Sequence, residues 1–143
     1  MMTPACIKTL EGSVMPLVSV VDDDISVRRS LDRLMRSVSL GVRVFASAEE
    51  FLNSDHPCEA DCFILDVRLP GMSGIELHRH LLARKCNVPT IFITAHGSDD
   101  GARSEAVSDW TVAYLIKPFS GDELLDAVQV ALKTETGRLK KDR

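Results

Sequence analysis

Five short apolar runs punctuate the chain: LVSVV (17–21), VRVFA (42–46), CFILD (62–66), TIFIT (90–94) and VAYLI (112–116). They are rich in Val, Ile and Phe and apolar almost without alternation, which predicts strands covered on both faces. Between them the period changes. Val27, Leu31, Leu34, Met35 and Val38 recur at spacings of three and four, the single apolar stripe of a helix. Leu124, Val128, Ala131 and Leu132 repeat that pattern near the C-terminus, and Ile75, Leu77, Leu81 and Leu82 mark a less regular helix. A short helix over 47–54 can start on Ser47, with Glu50 at the capping-box spacing. The stretch SDDGARSEAVSDW (98–110) offers only Ala102, Ala106, Val107 and Trp110 as apolar contacts. Gly101 within it costs roughly 1 kcal/mol of helix propensity, so this is expected to be the least stable helix.

Strand followed by helix, repeated along the chain, predicts an α/β fold. Right-handed crossovers must then cover a parallel sheet on both faces. Residues 1–15 carry no periodicity, and Met15-Pro16 directly precedes the first strand, so the folded unit is expected over 16–133 with a peripheral N-terminal extension. The last residues, 134–143, belong to the basic stretch KTETGRLKKDR and predict a frayed helix end, a tail or a linker stub.

Composition narrows the classes. A chain of 143 residues, 45% hydrophobic and 27% charged, suits one globular domain. No apolar run approaches the length of a membrane span, and MMTPACIKTLEGSVMP is a poor signal peptide, so a cytoplasmic location is expected. A net charge of −4 argues against a nucleic-acid-binding surface. Cys6, Cys58, Cys62 and Cys86 show no CxxC spacing and no nearby histidine pair, which predicts reduced, mostly buried thiols rather than a zinc site. His78 and His80, two apart on a helix, cannot share a face and are expected at the surface.

Candidate chemistry gathers at the strand ends, because open parallel sheets bind ligands outside the carboxyl ends of their strands. The first strand ends in Asp22, Asp23 and Asp24, the third in Asp66, the fourth in Thr94-Ala95, and the fifth runs into Lys117-Pro118-Phe119. Singly, each has an ordinary structural role: a helix N-terminal acid, a turn former, a β-branched strand residue, a solvated turn. Together they set several carboxylates, a hydroxyl and an ammonium on one rim. Two like charges about 4 Å apart cost about 4 kcal/mol at an effective dielectric near 20, so the carboxylates call for a cation. Oxygen ligands with water suit Mg2+, and the added lysine suits a phosphoryl anion.

At this point the chain resembles the receiver domain of two-component response regulators. The residues that carry the likeness are VVDDD (20–24), FILDVRLPGMSGIEL (63–77), IFITAHG (91–97) and YLIKPF (114–119). VRRSLDRLM and SAEEFL are further similar to receivers of LuxR-type transcription regulators. The resemblance implies a flavodoxin-like (βα)5 three-layer sandwich, with a five-stranded parallel sheet in the order 2-1-3-4-5. It implies Asp66 as phosphoacceptor from a histidine kinase or phosphotransfer protein. Asp23 would ligate Mg2+ directly, Asp22 usually through water, and Arg68 through its backbone carbonyl. Thr94 and Ala95 would bind the phosphoryl group with Lys117, and Tyr114 would be the aromatic switch. Arg68 and His96 stand where the family tunes acyl-phosphate lifetime. A downstream protein partner or an attached effector domain is implied, as is homodimer formation on phosphorylation.

One stretch departs from the pattern. Receivers usually carry small residues such as Ala-Gly-Ala shortly before the fifth strand, where this chain reads SDWTVAY. Trp110 cannot easily take the positive φ that glycine supplies there, so a rebuilt turn is expected on the output face. An Mg2+-dependent phosphohydrolase could also use an aspartate nucleophile, but generally needs a second carboxylate two residues later, where Arg68 stands. A flavodoxin-like flavin module is disfavoured by the acidic rim.

Overall fold

A computed structural model describes residues 15–95 and 100–141. Its strands are β1 (Leu17–Val21), β2 (Gly41–Phe45), β3 (Cys62–Asp66), β4 (Thr90–Thr94) and β5 (Thr111–Ile116). Its α-helices are α1 (Ile25–Ser37), α2 (Ala48–Leu52), α3 (Gly74–Ala83), α4 (Asp100–Ala106) and α5 (Gly121–Lys141), with a 3-10 turn at Pro57–Glu59. All strand pairs are parallel, in the order β2-β1-β3-β4-β5, so the expected doubly wound sheet is present. β1, β3 and β4 are buried almost throughout, which is why their sequences do not alternate.

Two apolar layers sandwich the sheet. On one face Phe63, Leu65 and Phe92 of the sheet meet Phe51 of α2, Leu77 and Leu81 of α3 and Ala106 of α4. On the other, Val18, Val20, Ile64, Ile91 and Ile93 meet Leu31 and Met35 of α1 and Leu124, Val128 and Ala131 of α5. Successive strand residues thus serve opposite cores, as a pleat with period two requires.

Local signals place the helix ends. Ser47 accepts a hydrogen bond from Glu50 N at 3.0 Å, while Glu50 reaches back to Ala46 N at 2.6 Å. Ser73 and Glu76 form a reciprocal capping box on α3. α1 and α3 end alike: Leu40 N and Cys86 N return to Met35 O and Leu81 O, both at 2.9 Å, with Ser39 and Lys85 at φ 64° and 63°. These are Schellman ends, with a non-glycine residue in the left-handed position.

Three expectations need correction. Cys58 and Cys86 are not reduced thiols but form a disulfide, bridging two turns 28 residues apart in sequence; only their spatial approach could reveal it. Cys62 is a buried thiol, and Cys6 lies outside the described residues. His78 is buried rather than superficial, 3% exposed, its ring edge-on to Phe92 at 5.2 Å. Val38 and Val107, assigned to apolar faces, are exposed, because each lies just beyond its helix. The backbone of α5 is helical to Lys141, through the stretch for which a frayed helix end, a tail or a linker stub was expected. Among the described residues, α4 covers the seven from Asp100 to Ala106.

The turn before β5 is rebuilt without a left-handed residue at Trp110. Ser108 organises it: its Oγ accepts from Trp110 N at 3.1 Å and lies 3.0 Å from both His78 Nε2 and Thr111 Oγ1. Thr111 Oγ1 in turn donates to Ala106 O, and Trp110 O accepts from Thr90 N at 2.7 Å. Burial pushes the His78 imidazole down to about 4, so it sits neutral in this network.

Candidate functional site

β1 delivers Asp22 to the rim and the loop to α1 fixes it there. Its carboxylate is fully buried, and Oδ1 accepts from Asp24 N at 2.8 Å. Asp24 in turn caps α1 by accepting from Ser26 N at 2.8 Å. Arg28, from the first turns of the same helix, donates to Asp22 O at 2.7 Å. No spacing rule singles out Arg28 in the sequence, because its target is a carbonyl. Asp23, next along the loop, is exposed.

Asp66 is the last residue of β3 and is 4% exposed. The chain then turns tightly: Val67 N donates to Ile93 O at 2.9 Å, and Arg68 N to Asp66 Oδ1 at 3.0 Å. The side chain of Arg68 lies at the exposed rim. The start of α3 presses against the back of Asp66. A Cβ on Gly74 would stand 2.1 Å from Asp66 O, so only glycine fits. Glu49 of α2 supports the same loop by accepting from Met72 N at 3.1 Å.

Lys117 follows β5, and its backbone N–H donates to Thr94 O at 2.7 Å, with a cis bond to Pro118. Its Nζ lies 2.9 Å from Asp22 Oδ2 and 3.3 Å from Asp66 Oδ2. One ammonium therefore bridges two buried carboxylates. Thr94, fully buried, ends β4 one residue beyond the partner of Asp66, and Ala95 follows it at the surface. Carboxylate oxygens of Asp22, Asp23 and Asp66 lie within 4.8 Å of one another.

The electrostatics follow from this crowding. Burial, then the neighbouring Asp22 charge, push the Asp66 carboxyl up to about 6, against the Arg68 N–H and the Lys117 ammonium. Burial would depress Lys117, but the hydrogen bond to Asp22 and the charges of both carboxylates outweigh it and hold its ammonium above the usual value. Three carboxylates and one ammonium leave formal charges of −3 and +1, a net of −2. An all-oxygen, net-anionic donor set matches a hard divalent cation.

Of the other expected residues, Tyr114 is half-buried on β5, its ring 5.3 Å from the Arg103 guanidinium and 6.4 Å from Phe92. Trp110 is half-buried at the base of β5, away from the carboxylate rim. His96 lies outside the described residues.

Residues 18–129 match the family model described as the response regulator receiver domain. The chain belongs to the response regulator receiver family. It is 45% identical over 133 residues to Nodulation protein W of Bradyrhizobium diazoefficiens, covering 93% of this chain and 58% of that one. To the transcriptional regulatory protein FixJ of Azorhizobium caulinodans it is 39% identical, covering 85% and 58%. Among solved structures, the response regulator StyR superposes with a TM-score of 0.78 at 39% identity, over 90% of this chain and 65% of that one. FixJ-N superposes with a TM-score of 0.74 at 35% identity, over 82% and 94%. The chain spans 50–58% of the length of the curated relatives it matches. Among those relatives are proteins named as response regulators and as transcriptional regulatory proteins. No described helix is long and apolar enough to cross a membrane.

Proposed function

We propose that this receiver is a phosphorylation-dependent switch in which Asp66 accepts a phosphoryl group from a histidine kinase or phosphotransfer protein. The observation that carries the proposal is the pairing of one ammonium, Lys117, with two buried carboxylates, Asp22 and Asp66, beside a third at Asp23. An Asp66 oxygen attacks phosphorus as the bond to the donor imidazole nitrogen breaks, leaving an acyl phosphate. With its carboxyl at about 6, Asp66 is mostly ionised near neutrality and available as the nucleophile.

Asp22, Asp23, Asp66 and the Arg68 carbonyl would hold Mg2+, which supplies neutralising charge to the transferring group. Lys117 contributes a second positive charge that is already in place. Thr94 and Ala95, at the end of β4, would take the phosphoryl oxygens. Tyr114 would follow Thr94, coupling the site to the α4-β5-α5 face that includes Trp110. Arg68 and His96 would set how readily water reaches the acyl phosphate. Residues 16–133 form the receiver. Output passes to a protein partner, to an effector domain of a longer transcription regulator, or through a phosphorylated homodimer.

Acetyl phosphate with Mg2+ should add one phosphoryl mass to the protein, read by intact mass, and Asp66→Asn should abolish it. An added mass that persists in Asp66→Asn would sink the assignment.

A further inference from the structure

The disulfide lies at the end of the sheet opposite the carboxylate rim. Cys58 sits in the 3-10 turn that feeds β3, and Cys86 in the turn that feeds β4, with Cα atoms 5.6 Å apart. The strands they feed end in Asp66 and Thr94. The 28-residue span they close contains all of β3, the loop after Asp66 and α3. Both turns hold a non-glycine residue in the left-handed region: His56 at φ 53°, two before Cys58, and Lys85 at φ 63°, one before Cys86. Such positions are unfavourable for L-residues and persist only where the surroundings hold them.

The two cysteines differ in access. Cys58 is exposed, whereas Cys86 is 6% exposed and packed in the apolar layer with Leu81, Val88 and Phe92. We propose that the Cys58–Cys86 pair is a reversible thiol–disulfide exchange site that reacts with low-molecular-weight thiols at Cys58. An external thiolate attacks Cys58 Sγ; the Sγ–Sγ bond breaks, and Cys86 leaves as a thiolate that takes a proton. A second external thiolate then attacks the outer sulfur of the mixed disulfide and releases Cys58. Two small thiols become one small disulfide, and the protein gains two thiols; oxidation by the small disulfide is the reverse. The cross-link stabilises the segment holding β3 and α3 chiefly by restricting the unfolded chain, more for longer loops. Oxidation state thus sets the stability of the segment that carries the carboxylate strand, whatever the phosphorylation chemistry.

The test equilibrates the full chain with mixtures of reduced and oxidised glutathione, quenches with acid, and reads intact and peptide masses alongside thermal unfolding. The bond should open and re-form reversibly. Its oxidised form should melt about 10 °C above the reduced form, as expected for a loop and chain of this size. Cys86→Ser should collect one glutathionyl group on Cys58, while Cys58→Ser should leave Cys86 unmodified. Brief treatment of the wild type with limiting glutathione should trap the mixed disulfide on Cys58, which keeps the test independent of how the variants fold. Glutathionylation of Cys86 instead, failure of the bond to re-form, or equal melting of both forms would overturn the proposal.

Discussion

Two buried groups titrate in opposite directions and should nearly cancel in the wild type. Asp66 has a folded value of about 6 against an ordinary 3.8. Between those values the native state holds a proton that the unfolded chain has lost, so stability falls as pH rises through the window. About 2 pH units correspond to about 3 kcal/mol. His78 has a folded value of about 4 against an ordinary 6.5. There the unfolded chain binds the proton, so stability rises with pH by a similar amount, about 3 kcal/mol. From these two groups the wild type should show little slope between pH 4 and 6.5. Asp66→Asn removes one arm and should gain about 3 kcal/mol as pH rises across that window. His78→Gln removes the other and should lose about as much. Urea unfolding in a chelator, with the disulfide intact, reads this directly: at typical urea slopes, 3 kcal/mol moves the midpoint by roughly 1–2 M. The readout is slope against pH, so a uniform packing cost in either variant does not matter. Profiles of Asp66→Asn and His78→Gln that run parallel to the wild type would refute the electrostatic account.

Gly74→Ala puts a Cβ 2.1 Å from Asp66 O and must displace the backbone behind the carboxylate. It should cost about 2–4 kcal/mol by thermal or urea unfolding and slow phosphorylation by acetyl phosphate. Lys117→Met leaves Asp22, fully buried, beside Asp66 with no ammonium between them. It should destabilise the metal-free protein by about 3 kcal/mol near pH 7 in the same assay, with a smaller loss near pH 4 where Asp66 is protonated. Lys85→Gly relieves the left-handed residue after α3 and should raise stability by up to about 1 kcal/mol, measured with the disulfide intact.

The sheet was legible because β1, β3 and β4 are buried on both faces and carry continuous apolar runs, and the cap at Ser47 is a local signal. The carboxylates and Lys117 were legible because a parallel sheet must gather its strand ends on one rim. What escaped was set by tertiary contact. His78 looks polar in a helix pattern, yet Ser108, thirty residues on, supplies the hydrogen bond that permits its burial. Arg28 grips a backbone carbonyl, which leaves no trace in residue type. Cys58 and Cys86 meet only because two turns at the same end of the sheet converge.

The most direct test of the phosphoryl-switch proposal locates the modified atom. After treatment with acetyl phosphate and Mg2+, borohydride reduces an acyl phosphate to an alcohol, a mark that survives proteolysis and can be sequenced by mass. The mark should fall on position 66 and require Mg2+. Its appearance on Asp22 or Asp23, or its absence from every carboxylate while phosphoryl mass is present, would contradict the account.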